Sequence, residues 1–542
     1  MKTGTRKWLA LGALALSGLV VGLDLTVLNL ALPTLATSLH ASTSGLQWFV
    51  DSYSLVFAAM LLPAGLLGDR YGRKKLLLAA LVLFGAASLA CAYAPSTNAL
   101  IVGRAALGLG AAFIVPLSIS VIPILFSEDE RQRAITVVMS MMMIAYPIGP
   151  ILGGWLLTHF WWGSVFLINV PVIAVALVAV GLLMPESRSD ERPRLDLVGI
   201  AVSSVGLTAL TYGLIETGQH GWSDGAALLA MAAGVVVLAL FVLWERRAAT
   251  SGRRALVDLS LFRSAGFTWG SVLATLVSFA TFGLLFTVPT YFQSVAGADA
   301  FGAGVRLLPL IGGLIAGAFT ADRLAARAGA KVTVAVGFTL LATGLLLGSL
   351  THVHTGYGFA AVWIAVVGGG LGFALPAAMD AAMGALSPER SGAGSALIMT
   401  LRQVGGTFGV AILGSVMNAA YRSTLDVHGL PPAVAAALHD GVAAGVAVAQ
   451  KLESLALLVM VRHSFVHAMD LMLVVCGLLA VAGIVLSLAF LPRRSTVAAG
   501  GKDGRTATPV RDEAGATAPA RPTPPIAAPG AEGAESAHAG GR

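Results

Sequence analysis

Three ionisable residues lie in stretches that are otherwise almost wholly apolar: Asp24, Asp51 and Arg104. A carboxylate inside a membrane span costs a few kcal/mol on insertion scales, roughly 3 kcal/mol, so it faces a cavity or a partner. Asp24 belongs to Leu23-Asp24-Leu-Thr26-Val-Leu-Asn29-Leu-Ala31-Leu-Pro33. At 1.5 Å per residue it sits about 12 Å below the end of its span, with Asp51 about 6 Å and Arg104 about 8 Å in from the same side. That geometry suits a cluster that handles protons or cations. A structural salt bridge, with Asp51 at headgroup level, fits the same positions.

A second pair lies toward the C-terminus. Arg402 falls near the middle of its apolar stretch, and Asp380 is the nearest plausible carboxylate, so the two are expected to pair. Glycine and proline mark two further places. Gly65-Leu-Leu-Gly-Asp69-Arg70-Tyr-Gly72-Arg73-Lys74-Lys75 reads as a tight turn, with Gly72 supplying a positive φ and the cations facing a helix C-terminus. It is equally an ordinary basic loop. Gly317-Ala-Phe-Thr-Ala-Asp322-Arg323 is a weaker echo of it, as duplication would leave. Tyr146-Pro147-Ile-Gly149-Pro150-Ile-Leu-Gly153-Gly154 predicts a kinked hinge or a close helix seam.

The elements that must position these residues are membrane helices. Of 542 residues, 57% are hydrophobic and 11% charged. A soluble domain carries roughly 25% charged residues. Apolar stretches of spanning length cover 8–32, 47–67, 76–94, 99–124, 134–158, 164–184, 198–216, 225–244, 266–293, 304–321, 331–350, 357–385, 392–417 and 467–491. The expected fold is therefore all-α, with fourteen transmembrane helices. Lys and Arg recur in alternate connections, from Lys2, Arg6 and Lys7 to Arg493 and Arg494, while the loops after spans 1, 3, 5, 7, 9 and 11 carry none beyond Arg306 at a helix edge. Basic loops stay on the cytoplasmic side, so both termini are expected there, in the inner cell membrane. The net charge of +7 is spread over these loops, which gives no basic face for nucleic acid. Cys91 and Cys476 lie in apolar runs and read as buried thiols. His352, His354, His463 and His467 lack metal-ligand spacing, so no metal is expected. The loop 418–466 contains a moderately apolar piece, 433–449, expected as a helix or hairpin at the outer surface. The segment 495–542, rich in Ala, Gly, Pro and Thr, is expected to be a disordered cytoplasmic tail.

Taken together, the Asp24 segment, the 65–75 loop, Arg104-Ala-Ala-Leu-Gly108-Leu-Gly110, the Pro147–Gly154 segment and Phe166-Leu-Ile-Asn169-Val-Pro171 resemble the fourteen-helix drug:proton antiporters of the major facilitator superfamily. Trp48-Phe-Val-Asp51-Ser-Tyr53 and Trp161-Trp162-Gly163-Ser164 are similar to the quaternary-ammonium exporters. The resemblance implies a six-helix bundle over 1–190, two inserted helices over 191–250 and a second six-helix bundle over 251–494. It implies a monomer that exports a lipophilic, cationic drug or antibiotic against inward proton flow, with no cofactor. It makes Asp24 the acid on the drug and proton path and Arg104 the arginine tied to coupling. Gly65, Asp69, Arg70, Gly72 and Arg73 become the gating loop, and Pro147, Gly149, Pro150, Gly153 and Gly154 the antiporter hinge. One departure stands out: Thr400-Leu-Arg402-Gln403 occupies a place where exporters of dications often carry acids.

An exporter of an endogenous metabolite or self-made antibiotic would have the same features. A membrane-embedded enzyme or sensor is disfavoured, because no nucleophile–base pair or His-Glu metal helix is present. A Gly-x-x-x-x-Gly-Lys-Ser/Thr loop is also absent, so the chain does not drive itself with ATP.

Overall fold

A computed structural model describes residues 3–126, 128–187, 196–221, 223–250, 259–386 and 391–492. The expected tail lies outside them. Fourteen long helices order the described chain. These are α1 Thr3–Ser38, α2 Thr43–Tyr71, α3 Arg73–Ala92, α4 Thr97–Ser120, α5 Glu128–His159, α6 Asn169–Leu183 and α7 Leu197–His220. There follow α8 Gly225–Thr250, α9 Ala265–Thr290, α10 Leu308–Ala328, α11 Ala330–Gly348, α12 Tyr357–Met383, α13 Ser391–Thr424 and α14 Leu455–Phe490. Each expected apolar stretch overlaps one of them, and those at 164–184 and 304–321 begin in the short helices Ser164–Leu167 and Ala300–Arg306. Twelve helices, some joined to a short neighbouring turn, are long and apolar enough to cross a membrane. The other two, α2 and α5, have 29 and 32 residues, so length alone would let them span.

Local chemistry sets the helix ends. Ser42, Ser96 and Ser454 accept backbone N–H groups at the starts of α2, α4 and α14, and Asp196 does so for α7. Gly72 between α2 and α3 has φ 111°, and Gly329 between α10 and α11 has φ 83°. The two glycines turn the chain at corresponding places, which is the structural side of the sequence echo.

Packing sorts the helices. α1 packs on α5 and α6, α2 on α4, and α3 on α4 and α6. In the second half α10 and α11 both pack on α12, while α9 and α14 both pack on α13. α7 and α8 pair with each other, and α7 rests on α13 and α2. The exposure of apolar side chains along α8, such as Leu229 at 71% and Leu240 at 55%, suits a surface that meets lipid.

Two helices run further than the hydropathy pattern suggests. α1 continues six residues past Leu32 to Ser38, so Asp24 is about 21 Å from its end and close to mid-helix. α14 begins at Leu455, twelve residues before the expected start. The loop before it contains a helical hairpin, Pro432–Asp440 and Val442–Lys451, turning at Gly441 with φ 140°. Thr43 Oγ1 donates to Asp440 O at 3.2 Å, and Arg422 donates twice to His439 O. The hairpin thus roofs the seam between the start of α2 and the end of α13. This end of the molecule is the hairpin end; the opposite one, with Arg70, Arg73, Lys74 and Lys75, is the basic end.

Candidate functional site

Asp24 and Arg104 meet in the interior. Arg104 Nη1 donates to Asp24 Oδ2 at 2.5 Å, and the two side chains are only 1% and 2% exposed. Arg104 Nε donates to Phe49 O of α2 at 2.9 Å, and its guanidinium carbon lies 4.4 Å from the centre of the Tyr53 ring. Asn169 Nδ2 lies 3.4 Å from Asp24 Oδ1 and 3.3 Å from Ser88 Oγ. Five helices therefore contribute to one buried ion pair: α1, α2, α3, α4 and α6. A buried pair is held only when its remaining hydrogen-bonding capacity is met, and removing one partner costs about 3–5 kcal/mol.

Glycines let the helices approach. A methyl group on Gly108 would run into Tyr53 O, so α4 and α2 touch backbone to backbone beside Arg104. Neither Ser88 nor Tyr53 is among the residues that the sequence singles out as a site. Tyr53 appears there only inside the Trp48–Tyr53 segment, and the one signal of Ser88 is polarity inside an apolar run.

Asp51 is fully buried, and neither carboxylate oxygen has a hydrogen-bond partner among the described residues. One turn nearer the hairpin end on the same helix face, Gln47 Nε2 donates to Val410 O and Ala411 O of α13, both at 3.2 Å. Asp51 consequently belongs to the seam between α2 and α13, separate from the Asp24–Arg104 pair.

Around α1 from that pair, on another face of the helix, lies a cavity of about 440 Å³, within the size range of drug-binding sites. Thr26 and Asn29 of α1 reach it, about half a turn and one and a half turns beyond Asp24. Leu285 of α9, Leu314 and Phe319 of α10 and Leu371 of α12 supply apolar wall. Asn29 Oδ1 is buried without a partner, which leaves an acceptor at the cavity wall.

The Pro147–Gly154 segment proves to be a seam. A methyl on Gly149 would strike Thr26, and one on Gly153 would come within 2.7 Å of Val27 Cγ1, so both face α1. Gly154 faces the short helix Ala300–Arg306, where an added methyl would lie 2.7 Å from Ala300 O. Gly304 returns the contact, its methyl meeting Pro150 O. These contacts close the cavity toward the hairpin end. The side chains of Pro147 and Asp69 lie outside the described residues.

At the basic end, Gly72 is pressed against Glu186, which follows α6. A methyl there would be 2.7 Å from Glu186 Oε1. Lys74 N donates to Glu186 Oε1 at 3.2 Å, and Arg73 N to Ser187 O at 2.9 Å. The carboxylate thereby caps the start of α3. Arg70 lies over the Tyr71 ring at 5.3 Å. Gly65 has open space around its Cα, so it is not the close-approach glycine of the loop. Replacing Gly72 with Ala combines backbone strain with this clash. We expect the melting temperature of the purified protein to fall by about 2 °C or more, since strain and clash together cost about 1–3 kcal/mol and a long chain shifts less per kcal/mol than the roughly 2–4 °C of a mid-sized domain. Adding Glu186→Ala should recover part of the fall. A Gly72→Ala protein that melts with the wild type would contradict the packing.

Asp380 and Arg402 form no ion pair with each other among the described residues. Arg402 Nε donates to Ser278 Oγ at 3.2 Å, and its Nη1 lies 3.7 Å from Met379 Sδ. Asp380 lies only three residues from the end of α12, about 5 Å, and is exposed there. Arg402 reaches the level of Met379, the neighbour of Asp380, but Asp380 is turned about 100° further around α12 and faces outward. His352, His354, His463 and His467 line a separate cavity at the hairpin end. Among the described residues no group of His, Cys, Asp or Glu is placed to hold a metal ion.

A multi-helix membrane fold in which one helix, α1, carries both a buried ion pair and part of the wall of a drug-sized cavity defines a polytopic membrane protein of the transporter type. Residues 14–410 match the Major Facilitator Superfamily, and the chain belongs to that family. Among curated relatives, the multidrug efflux pump LfrA of Mycolicibacterium smegmatis is 35% identical, over 83% of this chain and 89% of its own. The tetracenomycin C resistance and export protein of Streptomyces glaucescens is 34% identical over 76% of each chain. The methyl viologen resistance protein SmvA of Salmonella typhimurium is 32% identical over 90% of this chain and all of its own. A solved bacterial homolog of the human lysosomal transporter Spinster, inward-facing and unoccupied, superposes with a TM-score of 0.63. It has 18% identity and covers 90% of this chain and 98% of that one, which shows the shared fold.

Proposed function

We propose that this protein is a proton-coupled antiporter that exports lipophilic cations, drugs or antibiotics among them, across the cell membrane. The observation that carries the reading is the buried Asp24–Arg104 pair, held on the same helix as the cavity residues Thr26 and Asn29. Relatives named as multidrug, tetracenomycin C and methyl viologen resistance proteins support export. In this reading all fourteen helices cross the bilayer, the basic end is cytoplasmic, and so are both termini. The helices form two six-helix bundles with α7 and α8 inserted, and the protein works as a monomer with no cofactor.

The mechanism follows from the geometry. With the hairpin end closed at Gly154 and Gly304, the cavity takes substrate from the cytoplasmic side. A proton that reaches Asp24 neutralises it and removes its attraction for Arg104. Arg104 keeps only Phe49 O and the Tyr53 ring, while Asn169 is free to turn. α1 then has two packing states, and each is linked to the wall of the cavity through Thr26 and Asn29. Because proton and substrate favour different states, binding of one drives release of the other. Asp51, without a counter-charge in the α2–α13 seam, is a second group that can take a proton as that seam opens. Gly72, Arg73 and Glu186 fix the cytoplasmic turn about which α2 and α3 move together.

A susceptible bacterial host that makes this protein should retain less of a cationic dye than a host without it, and an uncoupler should remove the difference. Retention that is unaffected by the uncoupler would contradict proton-coupled export.

A further inference from the structure

We infer that Asp322 and Asp380 form a cation-selecting mouth for the cavity, holding the charged end of an amphiphilic substrate whose apolar body fills the space above. Asp322 stands in the sequence as part of a loop echo. In the structure it lies inside α10, six residues from the helix end, and lines the cavity. Among the described residues it makes no ion pair, and it is exposed. The wall that rises from it along α10 is Phe319, Ala318, Ile315, Leu314 and Ile311. A charged group entering this cavity therefore meets one carboxylate at the rim, then almost only hydrocarbon. Asp380 stands three residues from the same end of α12, the helix that packs on α10, and is exposed there too.

The neighbouring cations do not cancel this charge. Arg323 and Arg327 sit about 100° and 140° around α10 from Asp322, away from its face. Arg402, on α13, is engaged with Ser278 and Met379. The acid pair thus supplies at α10 and α12 the negative charge that α13 lacks, and it does so away from Asp24. A cation is recognised at the rim, and the proton is handled at Asp24, so the two sites can be separated by mutation.

The inference rests on the export reading, but its test needs no transport. Tetraphenylphosphonium and the uncharged dye Nile red are titrated into the purified protein in detergent. Asp322→Asn should weaken tetraphenylphosphonium binding about tenfold, equivalent to 1.4 kcal/mol, and leave Nile red within about twofold. Asp322→Glu should restore the cation, and Asp380→Asn should give a smaller loss of the cation alone. If Asp322→Asn fails to fold, the Asp322→Glu and Asp380→Asn results decide by the same comparison. Equal losses for both probes, no loss for the cation, or wild-type protein that binds neither overturns the inference. Cation binding that behaves as expected in a protein that does not pump would instead sink antiport and leave the mouth standing.

Discussion

Asp24→Asn is expected to abolish proton-driven efflux while leaving the protein folded. Asparagine keeps the size of the side chain and can still bond Arg104 and Asn169. What it cannot do is carry a proton and alternate between charged and neutral forms. The loss in transport should reach about 100-fold or more, because the coupling step, worth about 3 kcal/mol as a buried pair, has no substitute. Arg104→Leu should be worse for the protein as a whole. It leaves a carboxylate 3% exposed with only Asn169 nearby, at a cost of about 3–5 kcal/mol. Its melting temperature should fall far more than that of Asp24→Asn. Joining the two changes as Asp24→Asn with Arg104→Leu should recover stability, because no charge is then left buried, yet not transport. Measured melting temperatures and dye efflux for the three variants check this. Independent, additive effects would mean that the two residues do not act as a pair.

Gly154→Val carries the second large effect. Its added carbons meet Ala300 O and Phe301 Cα, both 2.7 Å from the first of them. Neither atom can rotate away, since both are backbone of the short helix Ala300–Arg306. The contact belongs to the closed hairpin end, so the variant should be forced out of this conformation. We expect transport to fall at least about tenfold, with bulkier side chains worse than Ala, since the steric cost of overpacking is typically 1–3 kcal/mol. A cysteine placed in the outer part of the cavity, at Leu310, should react faster with a water-soluble maleimide in the Gly154→Val background. Unchanged labelling together with normal transport would mean that the seam does not close the outer path.

The chemistry of the site was legible in part because charge inside an apolar run is rare enough to be read directly. Asp24 and Arg104 declared themselves in this way, and the structure joins them. Asn169 was legible as part of a family segment. Ser88 was not, since a serine in a membrane helix ordinarily satisfies itself on its own backbone and gives no signal. Asp322 was read as a loop residue because Gly317–Arg323 echoes Gly65–Arg70, and a local echo says nothing of which helix face lines a cavity. Depth was read less well. Pro33 and the hydroxyls of Thr34, Thr37 and Ser38 marked an end to the apolar stretch, but α1 continues through them, with Leu35 and Ala36 packed on its neighbours, and so places Asp24 near mid-helix. Pairing across helices was the least legible. Asp380 and Arg402 lie on sequential spans at plausible depths, but α12 ends soon after Asp380, while Arg402 turns to Ser278 of α9. The proline–glycine segment offered hinge or seam, and only the positions of Thr26, Val27 and Ala300 opposite it distinguish the two.

Proton release and dye movement measured together in sealed vesicles test the central claim most directly. Purified protein is reconstituted, an inward-directed pH gradient is imposed, and the appearance of a cationic dye on one side is recorded with the pH on the other. The account predicts dye efflux that starts with the gradient, dissipates it in proportion, and is absent in Asp24→Asn. Dye movement that proceeds without a gradient, or that is unchanged in Asp24→Asn, would contradict it.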